Sequence, residues 1–193
     1  MIRAYHAIWG VYGFWLPNDP RGSWSDFVAS WELAQHGKST GKLPREAERA
    51  DWEHWRNEAI ASLRYPAVTL SGAQARAIGI GFGNAVRRSS LVVLACSILP
   101  QHVHMIVGRH TYEIEKICIQ LKGEATKQLN REQLHPMNVF TSNGKTPSLW
   151  EEGLWKVFLD DDANIKAAIN YVEQNPVKEG KPLQRWSFVT PFC

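Results

Sequence analysis

Hydrophobic and polar positions change period several times along the chain, and each change marks an element. Residues 2–12 mix aromatic and β-branched residues and predict a first strand. Residues 71–87 carry helical spacing opened by Ser71 as a cap, although Gly79, Gly81 and Gly83 lower the propensity. Two apolar runs at 91–99 and 102–107, separated by Pro100-Gln101, predict a tight hairpin of two strands. Ile114, Ile117, Leu121 and Ala125 make one stripe of a helix over 113–130. Residues 150–159 read as a strand or extended segment, and 162–175 as a last helix, acidic at its start and stopped by Pro176.

Between the first strand and the second element lies a different kind of sequence. Pro17-Asn18-Asp19-Pro20-Arg21-Gly22-Ser23 is turn chemistry between Trp15 and Trp24, and residues 38–44 form a polar loop. Residues 44–63 predict a charged helix that Pro44 starts, with Trp52, Trp55, Ala59 and Leu63 at helical spacing before Pro66. Without residues 13–66 the order is strand, helix, strand, strand, helix, strand and terminal helix. That order is the split βαβ plan. The expected fold is α+β: one ferredoxin-like domain over 1–193, an antiparallel sheet with helices on one face, and a tryptophan-rich insertion at 13–66. The hairpin is expected to supply central or near-central strands.

Composition narrows the classes. A chain of 193 residues, 44% hydrophobic and 21% charged, suffices for one filled core of a soluble protein. A net charge of +3 permits an anionic partner without demanding one. Cys96, Cys118 and Cys193 are scattered, without a CxxC pair, which argues against a disulfide framework or a cysteine-based zinc module. The first residues lack the apolar core of a signal peptide and no stretch is apolar enough to span a bilayer. The expectation is a cytoplasmic protein with reduced thiols and no membrane partner.

His102-Val103-His104 is the most informative triplet, because a strand projects both imidazoles from one face. Within an apolar run their ring nitrogens need partners, either structural hydrogen bonds or a divalent metal. Tyr171 and Asn175, one helical turn apart, share a helix face. Taken singly, a helix tyrosine packs its ring with its hydroxyl at the surface, and an Asn before Pro ends a helix. Taken together, the amide oxygen could complete a metal site that two imidazoles begin, with the phenol beside it.

The same residues carry a family resemblance. His102-Val103-His104 resembles the His-hydrophobic-His motif of single-tyrosine HUH transposases. Tyr171-Val172-Glu173-Gln174-Asn175-Pro176-Val177-Lys178 is similar to the tyrosine signature of their REP-associated branch. Leu149-Trp150-Glu151-Glu152-Gly153 resembles the Trp-Gln-x-Gly block before that helix, with Glu151 where glutamine is more usual. The segment from Tyr12 to Pro17, with Arg21-Gly22-Ser23, looks like a stretch found in one branch of the group.

The resemblance implies a ferredoxin-like nuclease that cuts and rejoins hairpin-containing single-stranded DNA through a 5′-phosphotyrosine. It makes Tyr171 the nucleophile and His102, His104 and Asn175 ligands of Mg²⁺ or Mn²⁺, with Gln174 a weaker candidate for the third ligand. A phenol is mostly protonated at neutral pH and needs a positive charge or a base nearby, which a divalent ion can help to provide. Lys122, Lys178 and Arg21 are the candidate DNA contacts, although Lys122 and its neighbour Lys127 also suit a solvated helix face. A homodimer is compatible with this reading. The alternatives are a catalytically silent hairpin-DNA-binding protein and a histidine-triad nucleotide hydrolase. Ile106 stands where the latter expects another histidine.

Overall fold

The computed structural model describes residues 1–14, 54 and 57–192. Strand β1 (Ala4–Gly10) leads by way of the insertion to helix α1 (Gly72–Ser89), followed by the hairpin of β2 (Val93–Ile98) and β3 (His102–Gly108). Helix α2 (Ile114–Arg131), strand β4 (Trp155–Leu159) and helix α3 (Asp162–Lys178) complete the order. All pairings are antiparallel in the sheet order β2-β3-β1-β4, the ferredoxin-like arrangement expected from the sequence. β3 is a central strand of the sheet. β2 lies at its edge, where the Val189 bridge and the hydrogen bond from Thr190 N–H to Val93 O partly cover it.

Alternation along the strands produces two faces. Ala7, Trp9, Cys96, Ile98, Val103, Met105 and Val107 join Phe82, Ile117, Leu121 and other side chains of α1 and α2 in the main core. The opposite face carries Ala4, Ile106 and Leu159, which pack with Leu94, Ala95 and with Ile165 and Val172 of α3. The sequence reading placed helices on one face. The two crossover helices lie there, whereas the terminal helix covers the other, because Ala4, Leu94, Ile106 and Leu159 leave that face an apolar patch that needs cover.

Local chemistry sets the helix bounds. Ser71 and Gln74 form a reciprocal capping box, Ser71 Oγ accepting from Gln74 N–H at 3.3 Å and Gln74 Oε1 from Ser71 N–H at 2.8 Å. Two of the glycines that depress α1 propensity are explained by packing. A Cβ at Gly81 would lie 2.5 Å from Cα of Ala125, so its absence lets α1 and α2 approach closely, and a side chain at Gly79 would strike the Trp186 ring. Pro176 does not stop α3, which runs to Lys178. A proline there forfeits one backbone hydrogen bond of the last turns, and the Glu179 N–H to Asn175 O bond closes the end. β4 is shorter than expected because Trp150 bridges Val11 and Gly153, at φ +75°, turns the chain before Trp155.

Of the insertion, residues 57–61 are helical, and Ala59 is buried with Ile60 and Leu63 against it. Most of the helix expected at 44–63, together with Arg21, Trp15 and Trp24, lies outside the described residues.

Candidate active site

The site is built on the face that α3 covers. Register sets Gly10 opposite His102, Ile8 opposite His104 and His6 opposite Ile106, so three imidazoles project from β1 and β3 on one side of the sheet. Ring centroids of His102 and His104 are 4.8 Å apart, and those of His104 and His6 5.1 Å. Nε2 of His6 lies 2.9 Å from Nδ1 of His104. Burial lowers the His6 pKa to about 4; burial, then the charges of His102 and His6, lower that of His104 to about 2. At neutral pH both rings are therefore uncharged and able to offer lone pairs.

Helix α3 brings the phenol to this cluster. Its N-cap Asp161 accepts from Asn164 N–H at 2.7 Å, and Ile165 and Val172 dock the helix on the sheet. The Tyr171 ring then meets His104 edge-on at a centroid distance of 5.7 Å and His6 at 5.9 Å. Two turns later, Glu179 Oε1 lies 3.9 Å from His102 Nε2. Asn175 stands one turn from each, on the stripe that runs from Tyr171 to Glu179 across the imidazoles. It is buried at 8% exposure, and its Nδ2 has no hydrogen-bond partner among the described residues. Rotation of the amide exchanges its oxygen for that nitrogen, so the buried position can offer an acceptor.

The residue chemistry fits a divalent cation. Among the described residues no group of three or more His, Cys, Asp or Glu side chains is disposed to hold an ion, and the Asn175 amide is a further oxygen donor on the same helix stripe. Two imidazoles and an amide oxygen would supply three donors and leave positions open for phosphate and water.

Other predicted residues divide. Lys178 is exposed with Nζ 4.9 Å from the Tyr171 ring centroid, beside the site. Lys122 is differently employed: its Nζ donates to the carbonyls of Glu151 at 2.9 Å and Gly153 at 2.8 Å, and burial lowers its pKa. Trp150 strengthens the same corner, its Nε1 within 3.1 Å of Lys122 O and 3.0 Å of Thr126 Oγ1. Gln174 is exposed on α3, outside the Tyr171–Asn175 stripe.

Sequence reasoning gave no site role to three residues here, although Phe14 and Glu151 stood in the family blocks it quoted. His6 carried no motif, Phe14 stacks on His102 at 4.6 Å with planes 15° apart, and Glu151 reaches the end of β1. Gly13, at φ +82°, turns the chain into Phe14, and a Cβ there would also lie 2.7 Å from that of Ala67. A Cβ at Gly10, the partner of His102, would stand 2.5 Å from Glu151 Oε2, so the glycine lets that carboxylate approach the end of β1. Alternation in the first strand could have flagged His6, since it shares parity with Ala4 and Ile8.

Comparison with known proteins shows the family and the fold. The family model described as IS200-like transposase matches residues 60–175, more than half of the chain. A Haemophilus influenzae protein assigned by name to the REP-associated tyrosine transposases is 28% identical over 91 residues, 45% of this chain and 50% of that protein. The chain thus spans about half the length of this curated relative. The solved structure of a REP-associated tyrosine transposase bound to a REP hairpin shares the fold, with a TM-score of 0.50 at 11% identity, over 92% of this chain and 68% of that one. A structure named as a transposase of Deinococcus radiodurans R1 matches at a TM-score of 0.46 and 12% identity, over 94% and 92% of the two chains.

Proposed function

The chain belongs to the IS200-like transposase family, and from that premise we propose that it is a metal-dependent endonuclease and strand transferase for single-stranded DNA. Tyr171 is the nucleophile in this reading, and the observation that carries it is the convergence of Tyr171 with His104 across 67 positions of sequence, ring centroids 5.7 Å apart. His102, His104 and Asn175 would hold Mg²⁺ or Mn²⁺, which when bound polarises a scissile phosphate and offsets the charge that develops on it.

The phenol is 44% exposed, open to an incoming strand. Its Oη attacks phosphorus in line, the Oη–P bond forming as the P–O3′ bond breaks. The phenolic proton leaves to solvent and the departing 3′ oxygen takes one up. The product is a 5′-phosphotyrosine and a free 3′-hydroxyl, and reversal by a second 3′-hydroxyl rejoins strands without ATP. Lys178, whose ammonium lies over the ring, would bind a phosphate of the captured strand. Hairpin-containing DNA is the proposed substrate on the strength of family kinship, since a relative of like fold was solved with a REP hairpin.

The test is incubation with hairpin-bearing single-stranded oligonucleotides and Mn²⁺, resolved on a denaturing gel. A covalent protein–DNA adduct is expected, and Tyr171→Phe is expected to remove it while the melting temperature holds. Hairpin binding without cleavage under any divalent ion would overturn the reading in favour of a silent DNA-binding protein.

A further inference from the structure

Strand β1 places a third imidazole in the site, and its partner determines what it does. His6 is buried at 9% exposure, and its Nε2 stands 2.9 Å from Nδ1 of His104. At that separation two ring nitrogens share one hydrogen, one as N–H and the other as lone pair. Two arrangements satisfy the contact, and they have opposite consequences. If His6 donates, His104 must carry its own hydrogen on Nε2, which then cannot ligate. If His104 donates from Nδ1, its Nε2 is left with a lone pair.

We propose that His6 is a positioning residue for the nuclease site: its Nε2 accepts the Nδ1–H of His104 and so holds His104 in the tautomer whose Nε2 can bind the ion. The proposal rests on the metal-dependent reading above. Histidines that ligate metals commonly donate their second ring N–H to a fixed acceptor, which sets both tautomer and ring orientation. Here the acceptor is another imidazole, delivered by the neighbouring strand. His104 pairs with Ile8 and His6 with Ile106, so the two rings are diagonal neighbours on one face, within reach of long side chains. Burial of His104 at 5% exposure makes the arrangement costly to lose, since an unpartnered Nδ1–H would have no water to turn to. The His6 ring also borders the nucleophile, edge-on to Tyr171 at 5.9 Å, so the same side chain limits where the phenol can rest.

The experiment uses the full chain labelled with ¹⁵N at histidine, as wild type, His6→Gln and His6→Phe. Long-range ¹H–¹⁵N correlation spectra without metal report the His104 tautomer. Titration with Mn²⁺, followed by the electron paramagnetic resonance of the free ion, reports affinity without reference to DNA cleavage. Wild-type His104 is expected to carry its hydrogen on Nδ1. His6→Phe should mix the tautomers and weaken Mn²⁺ binding by about 10- to 100-fold. His6→Gln, which restores an acceptor oxygen, should recover the Nδ1–H tautomer and most of the affinity. A wild-type His104 protonated on Nε2, or a folded His6→Phe with unchanged tautomer and affinity, would overturn the proposal. Should His6→Phe fail to fold, the wild-type tautomer and the His6→Gln affinity still decide it. An Nδ1–H tautomer in a wild type that binds no Mn²⁺ would instead overturn the metal reading beneath it, and so is separable from a wrong assignment of the hydrogen bond.

Discussion

The two faces of the sheet come from the same four strands, yet they do different work. Towards α1 and α2, β1 and β3 present Ala7, Trp9, Val103, Met105 and Val107, all fully buried in a dry core. Towards α3 the same two strands present His6, Ile8, His102 and His104, and only a smaller cluster of apolar residues docks the helix. A single strand thus anchors the fold with one set of side chains and builds the candidate site with the next. His6 and His104 can be kept on a covered face because each satisfies a ring nitrogen of the other and both face a phenol, at the expense of apolar area that this face would otherwise bury.

Substitutions that separate the faces test this division, and the largest effect on stability is expected on the dry side. Trp9→Ala empties the centre of the main core and should cost about 3–5 kcal/mol in urea unfolding. Tyr171→Phe on the other face should leave the same curve almost unmoved. A smaller effect is expected where α1 meets α2. Helix propensity alone favours Ala over Gly by about 1 kcal/mol, but a Cβ at Gly81 meets the backbone of Ala125. Gly81→Ala should therefore destabilise, by about 1–3 kcal/mol, and a stabilised variant would show that the helices can part there. The smallest effect compares two lysines. Lys178→Ala should shallow the salt dependence of single-stranded DNA binding by about 0.7 in log–log slope. Lys122→Ala should leave that slope unchanged, because its ammonium is bound to carbonyls of the loop at Glu151 and Gly153.

Much of this arrangement was legible in the sequence because it is periodic or local. Alternation around His102 and His104, the helical spacing of Tyr171 and Asn175, and the Ser71 cap each follow from a few neighbouring residues. The order of elements was enough to suggest the ferredoxin-like plan once residues 13–66 were set aside. What escaped depends on contacts between distant segments. The partnership of His6 with His104 spans 98 positions, and Gly79 is small because of Trp186 near the other end of the chain. Pro176 misled because its missing N–H falls in the final turns, where a helix can run on for a few residues. At Lys122, charge alone does not say whether an ammonium meets solvent or a carbonyl. The side of the sheet that α3 covers was likewise unreadable, since its stripe would suit either.

The docking of α3 has a consequence for how the molecule would lose its activity. Two of the proposed ligands are fixed in the sheet, whereas the phenol and the amide ride on a helix held by a few aliphatic side chains. Local openings begin where the fewest apolar contacts hold an element. Mild warming or dilute denaturant would therefore lift the terminal helix away while the four strands and their crossover helices persist, separating the proposed nucleophile from the imidazoles in a protein that still looks folded to most probes.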